Sequence, residues 1–261
     1  MTNTVAVLIR LAVEFAYSCH YIDLFVTSTH TTVFCVRSQY LCWIRAIIGL
    51  VMNLDISYLL IVFGAILLSM TLHEAMHAFA SHWLGDDTAK LEGRLTLNPL
   101  AHIDLYTTVL LPLFLVVLGW PPFGAAKPVP FDPRRVKYGE YGAAIVGLAG
   151  PLTNLFMAII AGLLLRTVGF GDEILSTLLS VFLIVNVSFF AFNMIPFPPL
   201  DGSRVLYAFA PEPVQDFMER IENMGFMAII FFMLIFFAFL SEPFVRIINF
   251  LVQFLSGYSV L

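Results

Sequence analysis

Charge is what this sequence has least of. Asp, Glu, Lys and Arg supply only 12% of its 261 residues, while 60% are hydrophobic; soluble domains carry about 25% charged and about 45–50% apolar residues. That imbalance excludes an ordinary soluble protein and points to a polytopic membrane protein. Basic runs are missing too. The 13 Lys and Arg are outnumbered by 18 Asp and Glu, for a formal charge of −5, so nucleic acid is not an expected partner. Cysteine is limited to Cys19, Cys35 and Cys42; an odd, clustered set without a C-x-x-C pair is neither a disulfide framework nor a zinc knuckle. The start lacks the layout of a signal peptide, because Arg10, Glu14 and Asp23 interrupt its apolar run. Polar stretches long enough for a soluble domain are absent as well. One membrane-embedded domain is expected.

Residues 1–51 mix short apolar runs with a Thr/Ser-rich patch. The stretches 5–17 and 41–54 fall short of the ~20 residues a span needs. They read as an N-terminal extension, either a membrane-associated helix or hairpin or a weakly specified leader, and a further expectation is that translation begins at Met52. From there the pattern is clean. Residues 56–84 form a long apolar segment. The polar stretch 85–104 alternates over Lys90-Leu-Glu-Gly-Arg-Leu-Thr-Leu97, which predicts a strand or small hairpin. Residues 105–120 are apolar but only 16 in number, with Pro112 inside them, a length near that of re-entrant segments. A Pro/Gly-rich loop and the basic residues Arg134, Arg135 and Lys137 follow. Residues 141–165 can span, and the small residues Ala143, Gly147 and Gly150 permit close helix approach. Gly150-Pro-Leu-Thr-Asn154 predicts a break there and puts an amide at membrane depth; it serves equally well as a kinked packing helix or as part of a site. Residues 174–195 run into Asn193-Met-Ile-Pro-Phe-Pro-Pro-Leu-Asp201-Gly202, whose prolines end the helix and present Asp201 on non-helical backbone. A last apolar segment, 224–240, is broken by Ser241-Glu-Pro243 and followed by an amphipathic tail. The expected fold class is an all-α polytopic membrane protein with about four to six membrane helices, one re-entrant segment and a small membrane-associated β-hairpin.

Against this background one cluster stands out. Residues 56–72 contain no Asp, Glu, Lys, Arg or His, and then His73-Glu74-Ala75-Met76-His77 follows. On a helix the two histidines lie at i and i+4 on one face, where both can reach a zinc ion with Glu74 beside them as general base. Ionisable groups at membrane depth are costly and read as functional by default. A catalytic zinc takes three protein ligands and keeps one position for water. His82 sits about 140° around the helix from His77 and points away, and His102 could reach back only through a tight fold. Asp201 is the best remaining candidate, although on spacing alone Asp201-Gly202 reads slightly better as a surface turn. Topology raises its standing. If residues 105–120 re-enter, the exits of segments 56–84 and 174–195, near His77 and Asp201, share a face. Lys90, Arg94, Lys127, Arg134, Arg135, Lys137, Arg204 and Arg220 then share it too, with Arg166 and Arg246 opposite, an eight-to-two split against six to four if the segment crosses. The positive-inside rule prefers the first arrangement and makes the site face cytoplasmic.

These residues resemble the site-2 protease family of intramembrane zinc metalloproteases, in its short form without a PDZ domain. The resemblance rests on His73-Glu-Ala-Met-His77, Gly150-Pro-Leu-Thr-Asn154 and Asn193 to Gly202, together with Asn98-Pro-Leu-Ala-His-Ile-Asp104 and Ala126-Lys-Pro-Val-Pro130, and it covers roughly residues 52–211. It implies Zn2+ held by His73, His77 and Asp201, Glu74 as catalytic base, Asn193 as a contact to substrate backbone or oxyanion, and Asn154 as a structural or site-lining group. It also implies a metalloprotease domain over 52–261, with core 52–211 and C-terminal helices 212–261, in a multi-pass cell-membrane protein. The substrate would be a membrane protein or signal-peptide-like segment in the bilayer, cut within or near its transmembrane part. The competing expectation is a transporter or channel that uses His73, Glu74 and Asp201 as a proton or cation path. For the N-terminal extension the test is direct: sequencing natively expressed protein should give Met52 as the first residue if translation starts there, and Met1 at the N-terminus rules that out.

Overall fold

The structure, a computed structural model, describes residues 56–110, 126–168 and 171–258. The expected extension 1–51 lies outside the described residues, as do positions 111–120 of the expected re-entrant segment. Among the described residues every regular element is helical. Helix α1 is Ile56–Trp83, α2 the short Thr88–Leu91, α3 Glu140–Val168, α4 Glu173–Asn193, α5 Asp201–Phe209 and α6 Glu212–Asn223. Helix α7, Phe226–Ile235, passes through a π-helical turn, Phe236–Leu240, into α8, Ser241–Ser256. Among the described residues, four stretches are long and apolar enough to cross a membrane: Ile56–Trp83, Glu140–Thr167, Glu173–Asn193 and Met227–Ser256. Large apolar side chains on them, such as Phe63, Phe156 and Phe239, face outward and stay exposed, as lipid-facing positions do.

Three expectations need correction. The predicted hairpin at residues 88–97 is α2 followed by turns. Its end is a Schellman motif, in which Arg94 N–H bonds Ala89 O, Gly93 N–H bonds Lys90 O and Gly93 takes φ +69°, a conformation glycine adopts without strain. Those local bonds outweigh the polar–apolar alternation that suggested a strand. Helix α3 does not break at Gly150-Pro151; it continues with the proline inside it, since packed neighbours let a membrane helix tolerate one missing backbone bond. Nor does Pro243 end the last span. Ser241 N–H reaches back to Phe236 O across the π turn, and the widened turn takes up the lost bond while the helix runs on.

The core joins α3, α4 and α8 through Ala158, Ala161, Leu165, Leu183, Val187, Ile248 and Val252. Arg166 caps the end of α8, donating from Nε to Leu255 O (2.7 Å) and from Nη2 to Phe254 O, a cation at the negative end of a helix. An aromatic cluster ties α7 and α8 to the turn before Asp201: Phe197 stacks on Phe232 at 5.0 Å, and Phe192 meets Phe232, Phe236 and Phe244 edge-on.

At the other end, polar contacts replace apolar packing. Leu84 O accepts from Lys137 N–H at 2.8 Å, so the chain that leaves α1 returns beside it just before α3. The buried Asp86 accepts from Thr88 N–H (3.0 Å), Thr88 Oγ1 (2.5 Å) and Asp132 N–H (2.8 Å). Burial pushes its carboxyl up, but the Thr88 hydroxyl and the Asp132 and Thr88 N–H groups outweigh burial and hold it below the ordinary 3.8. A carboxyl lowered in this way stabilises the fold fully above about pH 4 and loses that contribution as pH falls through its lower, folded value. Asp86→Ala, which strands those donors, is expected to cost about 1–3 kcal/mol and to flatten the acid loss of stability below about pH 4. Thermal unfolding in detergent across pH 3–7 measures both.

Candidate metal centre

His73 and His77 face inward from the second half of α1, both buried. Asp201 is not on irregular backbone, as expected from the prolines, but is the first residue of α5, where the chain turns back into helix once Pro196, Pro198 and Pro199 are behind it. The structure brings these three side chains together. His73 Nε2 lies 3.1 Å from His77 Nε2, and Asp201 Oδ2 lies 3.1 Å from His73 Nε2 and 3.3 Å from His77 Nε2. His82 is half-exposed and paired with Asp87 at 2.6 Å. His102 is buried against Thr96 O at 2.9 Å. Neither belongs to the cluster.

Protons decide what the triangle means. His73 Nδ1 is 2.6 Å from Asn154 Oδ1, and His77 Nδ1 is 2.7 Å from Val146 O. Both partners are acceptors, so each Nδ1 carries hydrogen. The amide orientation of Asn154 follows from its neighbour. Asn186 Nδ2 donates to Phe182 O (2.8 Å), which leaves Asn186 Oδ1 to accept from Asn154 Nδ2 (2.9 Å) and turns Asn154 Oδ1 to His73. In neutral imidazoles fixed this way, both Nε2 atoms present lone pairs towards each other and towards Asp201 Oδ2. That oxygen is buried without a donor although both rings are close. Three such atoms this near one another are relieved by a proton on one ring, as in an imidazolium–carboxylate pair, or by a metal ion between them. A tetrahedral zinc with bonds of about 2.0–2.1 Å has ligand–ligand edges of ~3.3 Å, close to the triangle observed. The residues fit a zinc ion.

Space for an ion depends on residue 150. A Cβ there would lie 2.3 Å from His77 Nε2 and 2.8 Å from His73 Nε2, and one at residue 147 would lie 3.1 Å from Asp201 O. Glycine at both positions lets α3 carry α1 and α5 on one bare face. Glu74 stands next to the pair, half-buried, its Oε2 accepting from Val129 N–H at 3.2 Å. Asn193 ends α4 with Nδ2 bonded to Phe189 O at 3.0 Å. The buried Asn154 is committed to His73, Asn186 and, at 3.4 Å, Ser69 O. Sequence reasoning missed Asn186, whose only signal was a lone amide within an apolar span.

Known proteins agree with this chemistry. The model of peptidase family M50 matches residues 170–237, a stretch that holds Asp201 and not the histidine pair. YwhC of Bacillus subtilis (strain 168), named as a zinc metalloprotease, is 37% identical over 169 residues, which cover 62% of this chain and 74% of YwhC. Rip2 of Mycolicibacterium smegmatis (strain ATCC 700084 / mc(2)155), also named as a zinc metalloprotease, is 30% identical over 177 residues, covering 66% of this chain and 65% of Rip2. Rip2 of Mycobacterium tuberculosis (strain ATCC 25618 / H37Rv) is 32% identical over 149 residues, 54% of this chain and 53% of that protein. No solved structure matches. Two substitutions test the site. Gly150→Ala should abolish zinc binding, and Asn186→Leu should weaken it about 10–100-fold, the usual cost of losing a group that orients a ligand. Zinc titration of the purified protein reads both.

Proposed function

The chain belongs to peptidase family M50, the site-2 protease family of zinc metalloproteases, and we propose that it hydrolyses peptide bonds within or near the transmembrane segment of membrane-protein or signal-peptide-like substrates. The observation that carries this reading is the meeting of His73, His77 and Asp201 beside Glu74 within helices long and apolar enough to cross a bilayer. A site buried at that depth reaches substrates that share the membrane. In the proposed reaction Zn2+ is held by His73, His77 and Asp201, and Glu74 is the general base.

A zinc ion held by His73, His77 and Asp201 would supply Lewis-acid chemistry towards the scissile carbonyl and a water nucleophile. Glu74 accepts the proton of the attacking water and passes it to the leaving nitrogen as the C–N bond breaks. Asn154 and the Val146 carbonyl hold the two imidazoles in the ligating tautomer. Asn193, with the second proton of Nδ2, contacts substrate backbone or the developing oxyanion. A substrate helix has its carbonyls in hydrogen bonds and must unwind before attack.

The site opens towards the cytoplasm in this reading, and residues 105–120 re-enter without crossing. The Leu84–Lys137 bond supports it, because the chain comes back beside the point where it left α1. So does the distribution of basic side chains, with Arg134, Arg135 and Lys137 at that end and Arg166 at the far end of α3. The decisive experiment incubates purified protein with a single-span substrate, wild type against Glu74→Gln, with zinc measured in both. Zinc in both proteins and a loss of cleavage of at least 100-fold in Glu74→Gln is the expected result, in the range of general-base contributions. Cleavage that survives in Glu74→Gln removes Glu74 as base. Ion or proton flux that depends on Glu74, with no cleavage, would favour the transport alternative.

A further inference from the structure

The buried Arg94 has no part in the reaction described above, yet it sits next to the site's boundary. It is 5% exposed, and among the described residues no carboxylate pairs with it. Its Nη2 instead donates to two consecutive backbone carbonyls, Lys127 O (2.9 Å) and Pro128 O (3.3 Å). A buried guanidinium is costly to keep without an anionic partner, so this use of it needs a reason.

The segment it holds is unusual. Residues 126–132 have no regular structure, and their polar groups are tied down one after another. Lys127 N–H donates to His102 O at 2.9 Å, and His102, fully buried, is itself fixed through Nε2 to Thr96 O. Asp132 N–H donates to the buried Asp86 at 2.8 Å. Between these anchors lies Pro128-Val129-Pro130. Proline has no N–H and holds the chain extended, so Val129 carries the only backbone donor of the three, and it bonds Glu74 Oε2 at 3.2 Å.

We propose that Arg94 and the Pro128-Val129-Pro130 segment are a positioning device for the Glu74 carboxylate, with Val129 N–H holding one oxygen so that the other is free to take the proton. The flanking prolines leave no competing donor, and Arg94, His102 and Asp86 fix the strap from three sides. Arg94 is a positioning residue: it acts on Glu74 only through the strap. The same arrangement gives a use to two motifs the reaction leaves unassigned, Asn98 to Asp104, which contains His102, and Ala126 to Pro130.

The proposal rests on Glu74 being the base, and its test keeps the two apart. Val129→Ala retains the N–H and removes most of the side chain; Val129→Pro removes the N–H where both neighbours already favour extended backbone. The purified proteins are compared with wild type and Glu74→Gln for zinc content, kcat and KM on a single-span substrate. Val129→Ala should keep zinc and retain most of the kcat that Val129→Pro loses. Val129→Pro should keep zinc and KM within about twofold and lose about tenfold or more in kcat, the scale of one hydrogen bond to a charged group. Arg94→Met should show the same loss in kcat, and Arg94→Lys, which keeps a donor, should recover part of it. Equal kcat in Val129→Pro and Val129→Ala overturns the proposal. If Val129→Pro does not fold, the Arg94 pair decides: wild-type kcat in Arg94→Met, or loss of folding and zinc there too, makes the segment structural and overturns it as well. Undiminished cleavage by Glu74→Gln would instead overturn the base assignment, whatever the Val129 variants do.

Discussion

The convergence of three metal-ligand atoms on one point is the condition on which the rest of this structure depends. Two imidazole nitrogens and a carboxylate oxygen stand 3.1–3.3 Å apart, an arrangement that repels itself unless a proton or a metal ion relieves it. What keeps it together is cooperation between opposite features. Asn154 and the Val146 carbonyl take the protons on the outer side of the rings, and glycine at 147 and 150 leaves the inner side bare. A side chain at either glycine, or a different tautomer on either ring, would remove the reason for the other parts.

The protein divides its stabilising interactions by place. Away from the site, small and branched apolar residues of α3, α4 and α8 interlock, and Phe192, Phe197, Phe232, Phe236 and Phe244 fasten the last span to the turn before Asp201. Around the exit of α1, buried polar residues do the fastening: Asp86, Arg94 and His102 bind backbone groups of the 126–137 segment directly or through their own carbonyl. Hydrogen bonds fix direction where apolar contact fixes only proximity. Direction matters most beside Glu74, whose Oε2 accepts from Val129 N–H.

Much of this was legible beforehand. The first apolar segment was expected at 56–84 and is found at Ile56–Trp83, because a long uncharged run permits little else. The i, i+4 histidines needed only helical periodicity to be placed on one face. Legibility failed where local and long-range bonding compete. Leu91, Leu95 and Leu97 alternate as a strand would, yet Gly93 closes a helical turn through local bonds that periodicity does not register. Prolines 151 and 243 read as breaks because a proline's local cost is visible in sequence, whereas the neighbours and the π turn that absorb it are not.

The sequence by itself determined the membrane class, the long apolar helices and the pair of histidines with its glutamate, all of which follow from composition and from repeats of three or four residues. Sequence offered Asp201 as the candidate carboxylate, but its meeting with the histidines was decided by tertiary structure, since Asp201 is more than 120 positions from His77 and no local rule spans that distance. Tertiary structure also decided the tautomers of the rings, through an asparagine relay that begins at a backbone carbonyl of α4, and the hold of Val129 on Glu74. Those outcomes depend on which lone pair faces which proton, and that is set only when separate helices are brought into contact.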